Sequence, residues 1–307
     1  MNIEAKLRNA AQMNEKNFQM TRYISIFAAM RSKSGYIYVL FLVVVSMMVS
    51  SCSKYQQLLK SNRNEDKYTA AVQFYEKKDY DRALPLFEQL LTISKGTSKY
   101  EMVFYYYANC YYGQGDYEEG SFYFENFVTN FPNSKYAEEC SFMGAFCYYL
   151  NSPNSSLDQS NTKKAMLQLQ LFTNKYPKST KVDQCNQLID LLREKLMKKD
   201  YETAKLYYNM NDYRGATVCF KNLVKNFPDT KYKEESLYLC VKSYYNWANN
   251  SIETKKEERF KATVEAYNIF IDNFPKSKYV KESEGYFEGA LKQLDKKRIA
   301  EKITLGN

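Results

Sequence analysis

The sequence predicts an all-α protein assembled from repeated helical hairpins, and three observations carry that prediction. Glycine and proline are scarce, ten and six in 307 residues, while 30 Tyr and 19 Phe supply the bulk that closely packed helices bury. Four of the six prolines stand in one context: Phe131-Pro132-Asn133-Ser134-Lys135-Tyr136, Tyr176-Pro177-Lys178-Ser179-Thr180-Lys181, Phe227-Pro228-Asp229-Thr230-Lys231-Tyr232 and Phe274-Pro275-Lys276-Ser277-Lys278-Tyr279. Between these turns, small and aromatic residues recur at fixed increments.

Each proline ends one helix, and the Ser or Thr that follows is placed to cap the next. A proline-free relative, Thr97-Ser98-Lys99-Tyr100, marks a fifth turn. The increments run Ala108, Tyr111, Gly120, Phe124, Pro132 in the second unit and Ala204, Tyr207, Ala216, Phe220, Pro228 in the fourth. The first unit has Ala71, Phe74, Ala83 and Phe87 without the proline. Asp79-Tyr80, Asp116-Tyr117 and Asp212-Tyr213 fall between the two helices of a unit. In the third unit the expected helices are 137–150 and 162–176 around a polar insertion at 151–156. In the fifth they are 233–249 and 257–274 around an insertion at 250–255. One long helix covers 182–209, and a last helix covers 280–303.

The small and aromatic positions resemble the tetratricopeptide repeat, whose small residues let paired helices approach and whose aromatics fill the space between them. The expected architecture is a tetratricopeptide-repeat solenoid of five helix-turn-helix units plus a C-terminal helix, stacked so that neighbours share a core no single unit could bury. The expected division is a signal peptide at 1–51, a lipidated tether at 52–66, units one to three at 67–181, and units four and five with the terminal helix at 182–307.

The N-terminal segment reads as an export signal. Arg31 and Lys33 precede an uncharged apolar run, Tyr36 to Val49, shorter than the roughly 20 residues of a spanning helix and suited to a signal-peptide core. Val49-Ser50-Ser51-Cys52 resembles the bacterial lipobox, which implies cleavage before Cys52 and lipidation of its thiol. Residues 1–29 fit neither part and read as a misassigned upstream start, with Met20 or Met30 initiating. Ser53-Lys54-Tyr55 lacks the acidic residue of inner-membrane retention, so by resemblance to lipoprotein sorting rules the expected location is the outer membrane, lipid-anchored on the periplasmic face.

Several classes of chemistry are disfavoured. There is no histidine, which removes His-based triads and most zinc or haem sites. The other six cysteines, Cys110, Cys140, Cys147, Cys185, Cys219 and Cys240, form no CxxC and read as small core residues. No metal, cofactor or catalytic residue is expected; the adjacent acids Glu118/Glu119 and Glu138/Glu139 point apart on a helix. The net charge is +9, with six basic and two acidic residues inside 1–51. The remainder is too mild and scattered for nucleic acid, and the cluster Lys292, Lys296, Lys297, Arg298 reads as a solvated helix face.

The candidate binding residues are tyrosines. Counting from the small residue of each first helix, the position three before it is Tyr68, Tyr105 and Tyr201, and the position four after it is Tyr75, Tyr112 and Tyr208. Tyr148 and Tyr244 take the later position in units three and five, where Ser141 and Leu237 replace the earlier tyrosine. Residues seven apart share one helix face, and in the tetratricopeptide family that face lines a peptide groove. Tyrosine suits that task because it offers rigid apolar area with a polar tip. Trp247 reads as a core residue beside the fifth unit's insertion.

A lipobox followed by five such units is similar to the BamD family, lipoproteins of the outer-membrane β-barrel assembly machinery, the closest echo being Gly115-Asp116-Tyr117 through Phe131-Pro132 and Tyr136-Ala137-Glu138-Glu139. That resemblance implies a non-catalytic scaffold of the BAM complex. Its N-terminal units would receive unfolded outer-membrane β-barrel proteins, and its C-terminal units would grip the periplasmic domains of BamA beside other BAM lipoproteins. The alternative is another periplasmic repeat lipoprotein, such as a Tol-linked coordinator of envelope and division. The two insertions and the 182–209 helix depart from the family pattern.

Overall fold

The computed structural model describes residues 54–305, with side chains through Lys297. The signal peptide, the choice of start and the lipidation of Cys52 lie outside the described residues. The described residues are all-α, in the tetratricopeptide-repeat solenoid class. Helix α1 covers 54–60. It is followed by α2 (Asn64–Glu76), α3 (Tyr80–Ser94), α4 (Tyr100–Gln114), α5 (Tyr117–Asn130), α6 (Ala137–Leu150), α7 (Ser160–Lys175), α8 (Val182–Asn209), α9 (Tyr213–Asn226), α10 (Lys233–Asn249), α11 (Glu253–Asn273) and α12 (Val280–Leu305). Two compact units meet at Val103 and Phe104, inside α4.

Within a repeat, the turn between helices has one design. Lys78, Gly115 and Asn211 each adopt a left-handed conformation, with φ of 59°, 81° and 62°. That reversal aims the next residue, Asp79, Asp116 or Asp212, at the start of the second helix, where its carboxylate accepts from the backbone N–H of Arg82, Glu119 or Gly215 at 3.4, 3.4 and 2.9 Å. Glycine takes the left-handed region without strain and asparagine tolerates it, whereas lysine pays for its Cβ there.

Between repeats, the proline turn is also reproduced. Phe131, Tyr176, Phe227 and Phe274 each close the last helical bond, donating to Phe127, Phe172, Leu223 and Phe270 at 2.8–2.9 Å. The hydroxyls of Ser134, Ser179, Thr230 and Ser277 then accept from the N–H two residues on, at 3.0–3.3 Å. The hydroxyl therefore stabilises the turn itself rather than the first turn of the next helix, a shift from the expected cap.

The small positions are buried as the repeat pattern predicts: Ala71, Ala83, Ala108, Ala165, Ala204 and Ala216 are fully enclosed. A Cβ on Gly120 would sit 3.3 Å from Cys147 Sγ and 3.5 Å from the Tyr112 backbone, so α5 presses closely on its neighbours there. The aromatics Phe87, Phe124, Phe172, Phe220 and Phe270 fill the interior; truncating any of them to Ala costs about 3–5 kcal/mol. Cys110, Cys140, Cys147, Cys185 and Cys240 are buried, and Cys219 is half-buried.

The long helix α8 belongs to two cores. Cys185, Leu188 and Leu192 of its first half join Phe142, Leu169 and Phe172, while Tyr201 and Ala204 of its second half join Phe220, Leu237 and Phe270. The insertion before α7 is a folded strap: Lys195 Nζ donates to the Ser152 carbonyl and hydroxyl at 3.2 and 2.7 Å, and Lys199 Nζ to the Leu157 carbonyl at 2.7 Å. The second insertion is shorter than expected, because α11 begins at Glu253. Trp247 is only half-buried; the Arg259 guanidinium sits 4.1 Å from its ring. Lys297 reaches Glu257 at 2.7 Å, while Lys292 and Lys296 are exposed and the Arg298 side chain lies outside the described residues.

One segment overturns its expectation. Part of the presumed tether, 54–60, is helical, and Tyr55 packs edge-on against Phe74 at 5.7 Å while its hydroxyl donates to the Arg82 carbonyl at 2.9 Å. An apolar ring with a satisfied hydroxyl is enough to dock a short segment that composition alone marks as linker.

Relieving the left-handed lysine is expected to stabilise the fold: Lys78→Gly should raise unfolding free energy by about 0.5–1 kcal/mol, and Gly115→Ala should lower it by about 1 kcal/mol. Urea denaturation followed by circular dichroism checks both, and equal midpoints for the two variants would contradict the strain argument.

Candidate functional site

The predicted tyrosines divide into two structural kinds. The later ones lie across the hairpin turn from the first residue of the following helix: Tyr75 meets Tyr80 at 5.8 Å, Tyr112 meets Tyr117 at 5.9 Å and Tyr208 meets Tyr213 at 5.9 Å between ring centroids. Each is half-buried, and Tyr112 also has Phe146 beside it at 6.5 Å while Tyr208 packs against the C-terminal core.

The earlier tyrosines hold on to the turn that begins the next repeat. Tyr105 lies against Tyr136 at 4.6 Å, and Tyr201 stacks on Tyr232 at 4.2 Å with ring planes 9° apart. Tyr238 stacks on Tyr279 in the same way, at 4.2 Å and 7°. In the third repeat the partner is a cation: Lys181 Nζ lies 5.1 Å from the Phe142 ring. Tyr68 is half-buried beneath Lys99 Nζ at 5.7 Å, and Lys99 is ion-paired with Glu65 at 2.5 Å.

These pairings correct the register. Phe142 and Tyr238, not Ser141 and Leu237, stand where Tyr105 and Tyr201 stand, so Tyr149 and Tyr245 take the later position. Tyr148 then falls at the position of Tyr111 and Tyr207; it is buried, 6% exposed, with Lys164 Nζ 4.2 Å over its ring, whereas Tyr111 is half-buried and Tyr207 exposed. Tyr201 is likewise buried, 8% exposed. Both rings are packing partners more than open surface. The one-residue shift arises because insertions interrupt the third and fifth units, which removes the fixed increments that anchored the others. The recurrence of Tyr136, Tyr232 and Tyr279 at the end of the proline motif was the signal available for the missed partners.

A carboxylate joins the ring pairs of the second, fourth and fifth repeats. The Tyr105 hydroxyl donates to Glu139 at 3.0 Å. Lys205 Nζ lies 3.4 Å from Glu235 and 5.2 Å from the Tyr201 ring. In the fifth repeat Lys242 Nζ and the Tyr286 hydroxyl both donate to Glu282, at 2.9 and 2.7 Å. Hydrogen bonds from Lys242, then Tyr286 and Tyr238, hold the Glu282 carboxyl down at about 2. Burial works against the Lys242 ammonium, but hydrogen bonds to Glu282, Tyr238 and Tyr286 outweigh it and raise its pKa. Burial first, then the neighbouring Glu235, raises the Tyr201 phenol.

Among the described residues, no group of three or more Cys, Asp or Glu is placed to hold a metal ion, and no helix is long and apolar enough to cross a membrane. Glu118 and Glu119 are exposed at the start of α5. What the first helices offer is aromatic area edged by hydroxyls and charge, which suits recognition of an extended peptide.

Residues 60–259 match the family described as YfiO, outer membrane lipoprotein. A protein of Aquifex aeolicus provisionally named outer membrane protein assembly factor BamD is 23% identical over 64% of this chain and 65% of its own. The outer membrane protein assembly factor BamD of Caulobacter vibrioides is 22% identical over 47% of this chain and 46% of its own. Each match therefore spans less than two thirds of the relative. The crystal structure of the P58(IPK) TPR domain aligns with a TM-score of 0.37 at 12% identity, covering 78% of this chain and 68% of that one.

The depressed Glu282 has a definite pH signature. A carboxyl lowered in the folded state contributes stability that is complete above the ordinary glutamate pKa, about 4.3, and fades as pH falls toward 2. Glu282→Gln should therefore be less stable than the parent at pH 7 and should show a flatter loss of urea midpoint between pH 5 and pH 2. Parallel pH profiles for parent and variant would remove Glu282 from the ring pair's energetics.

Proposed function

The chain belongs to the YfiO family of outer membrane lipoproteins, and on that premise we propose that it is a non-catalytic scaffold of the β-barrel assembly complex. The observation that carries this reading is the family match together with relatives named as assembly factor BamD. In this reading a lipidated Cys52 holds the chain in the outer membrane, facing the periplasm. Two acyl-chain signals suffice for stable anchoring, since each buried CH₂ contributes about 0.8 kcal/mol. The tyrosine faces of the N-terminal repeats, residues 67–181, receive unfolded outer-membrane β-barrel proteins. The C-terminal repeats and α12, residues 182–307, hold the periplasmic domains of BamA and companion BAM lipoproteins.

The later tyrosines support the peptide half of the proposal. Tyr75 and Tyr112 are half-buried and braced by Tyr80 and Tyr117, so their rings are ordered before a ligand arrives and little side-chain entropy remains to be lost on binding. Tyr105 and Tyr201 are committed to ring contacts with the next turn; Tyr105 is half-buried and contributes through its remaining edge, whereas the buried Tyr201 serves packing.

Affinity purification of the lipoprotein from detergent-solubilised envelope, with mass spectrometry of partners and of the N-terminal peptide, tests the whole reading. The expected result is a large β-barrel protein with repeated periplasmic domains together with a lipidated Cys52 peptide. Division or peptidoglycan-linked proteins in its place would move the function to the Tol-type alternative. Cys52→Ala should shift the protein from the membrane to the soluble fraction. Tyr75→Ala with Tyr112→Ala should weaken binding of a barrel C-terminal peptide roughly tenfold, about 1.4 kcal/mol, with little change in thermal stability. An equal loss of stability and binding would return both rings to a packing role.

A further inference from the structure

The second helices of the last two repeats form a groove that the tyrosine faces do not use. α9 and α11 each pack on α10, which lies between them, so α10 supplies a floor and the two second helices supply walls. Leu237, Cys240 and Tyr244 of α10 and Ala266 of α11 line a small, mainly apolar cleft of about 70 Å³, with Lys221 of α9 and Glu265 of α11 at its two sides. Burial pushes the Cys240 thiol up to about 12, which keeps that floor uncharged. At the rim, Val218 of α9 and Ile269 of α11 remain 53% and 51% exposed.

The two walls carry opposite charge. Along α9 the residues Arg214, Val218, Lys221 and Lys225 follow helical spacing on one face, and α9 contains no acidic residue. Along α11 helical spacing aligns Ala262, Glu265, Ile269 and Asp272, and Lys261 of the same helix is tied to Glu257 at 2.7 Å. All four of Arg214, Lys225, Glu265 and Asp272 are exposed, and none of them is in an ion pair among the described residues. The wall that α9 supplies is about 20 Å long, the length of its 14 residues.

We propose that this groove docks an amphipathic helix of a partner protein, which seats apolar residues between Val218 and Ile269, lays acidic side chains along α9 and sets basic ones along α11. A helix satisfies its own backbone groups, whereas an extended segment entering a groove walled by helices finds no strand edge to pair with. The carboxylates of Glu265 and Asp272 beside the apolar rim oppose an anionic lipid surface. This surface is separate from the tyrosine faces and does not depend on what they bind.

The test places a photocrosslinking residue at Val218, and separately at Ile269, in the full-length lipoprotein in intact cells, and sequences the crosslinked segment by mass spectrometry. The expected segment is common to both positions, has apolar residues at helical spacing, and carries acids on the side facing α9 and bases on the side facing α11. Charge reversal by Lys221→Glu with Lys225→Glu should reduce crosslink yield at least tenfold with an unchanged circular dichroism spectrum. Should that pair disturb folding, Glu265→Lys with Asp272→Lys provides the same reversal from the other wall. Crosslinks to lipid, to a second copy of this chain or to a segment without helical apolar spacing would overturn the proposal. So would the absence of a crosslinked protein, or a yield indifferent to both reversals.

Discussion

The stacked contact between a first helix and the turn that begins the following repeat is the interaction on which the C-terminal half of this fold depends. Tyr201 on Tyr232 and Tyr238 on Tyr279 lie nearly face to face at 4.2 Å, and the proline turn sets the second ring of each pair in place. Without the backbone bonds that close Phe227 and Phe274 onto the preceding helix, the turn would not present its tyrosine at a fixed height. A lysine and a glutamate then complete each site, so a hydrophobic stack and an ion pair reinforce one another in a partly desolvated place.

That arrangement gives the tyrosines two roles. A ring held by a neighbour on one face is rigid, and rigidity is what a binding surface needs if it is not to lose entropy when occupied. The later tyrosines, braced across the hairpin turn, are half-buried and so keep more of their surface available than Tyr201 does. The division follows from geometry: one position points at the next repeat, and the position seven residues on points past the turn of its own hairpin.

The helix α8 and the strap before it answer a packing problem posed by the third repeat. Its insertion separates α6 from α7, and the added length of α8 covers the core they share through Leu188 and Leu192. Lys195 and Lys199 pin the strap by its carbonyls, which turns a polar stretch that reads as loop into part of the framework. Helix α8 was legible as one continuous element because no proline or glycine interrupts it, but its membership of two cores was not, since both halves show the same helical period.

Much of the chain's organisation was written locally. The proline motif, the Asp that starts the second helix in three of the repeats and the buried alanines are short-range features, governed by backbone sterics and capping, and they set most helix boundaries before any tertiary contact is considered. The register of the third and fifth repeats, the docking of Tyr55, the burial of Tyr148 and the groove between α9 and α11 were decided only by tertiary structure. Each depends on which residue a distant segment brings alongside. An insertion that leaves local periodicity intact can still shift that partner by one position along the helix, and a shift of one position turns a side chain through about 100°, from one face of the helix toward the core.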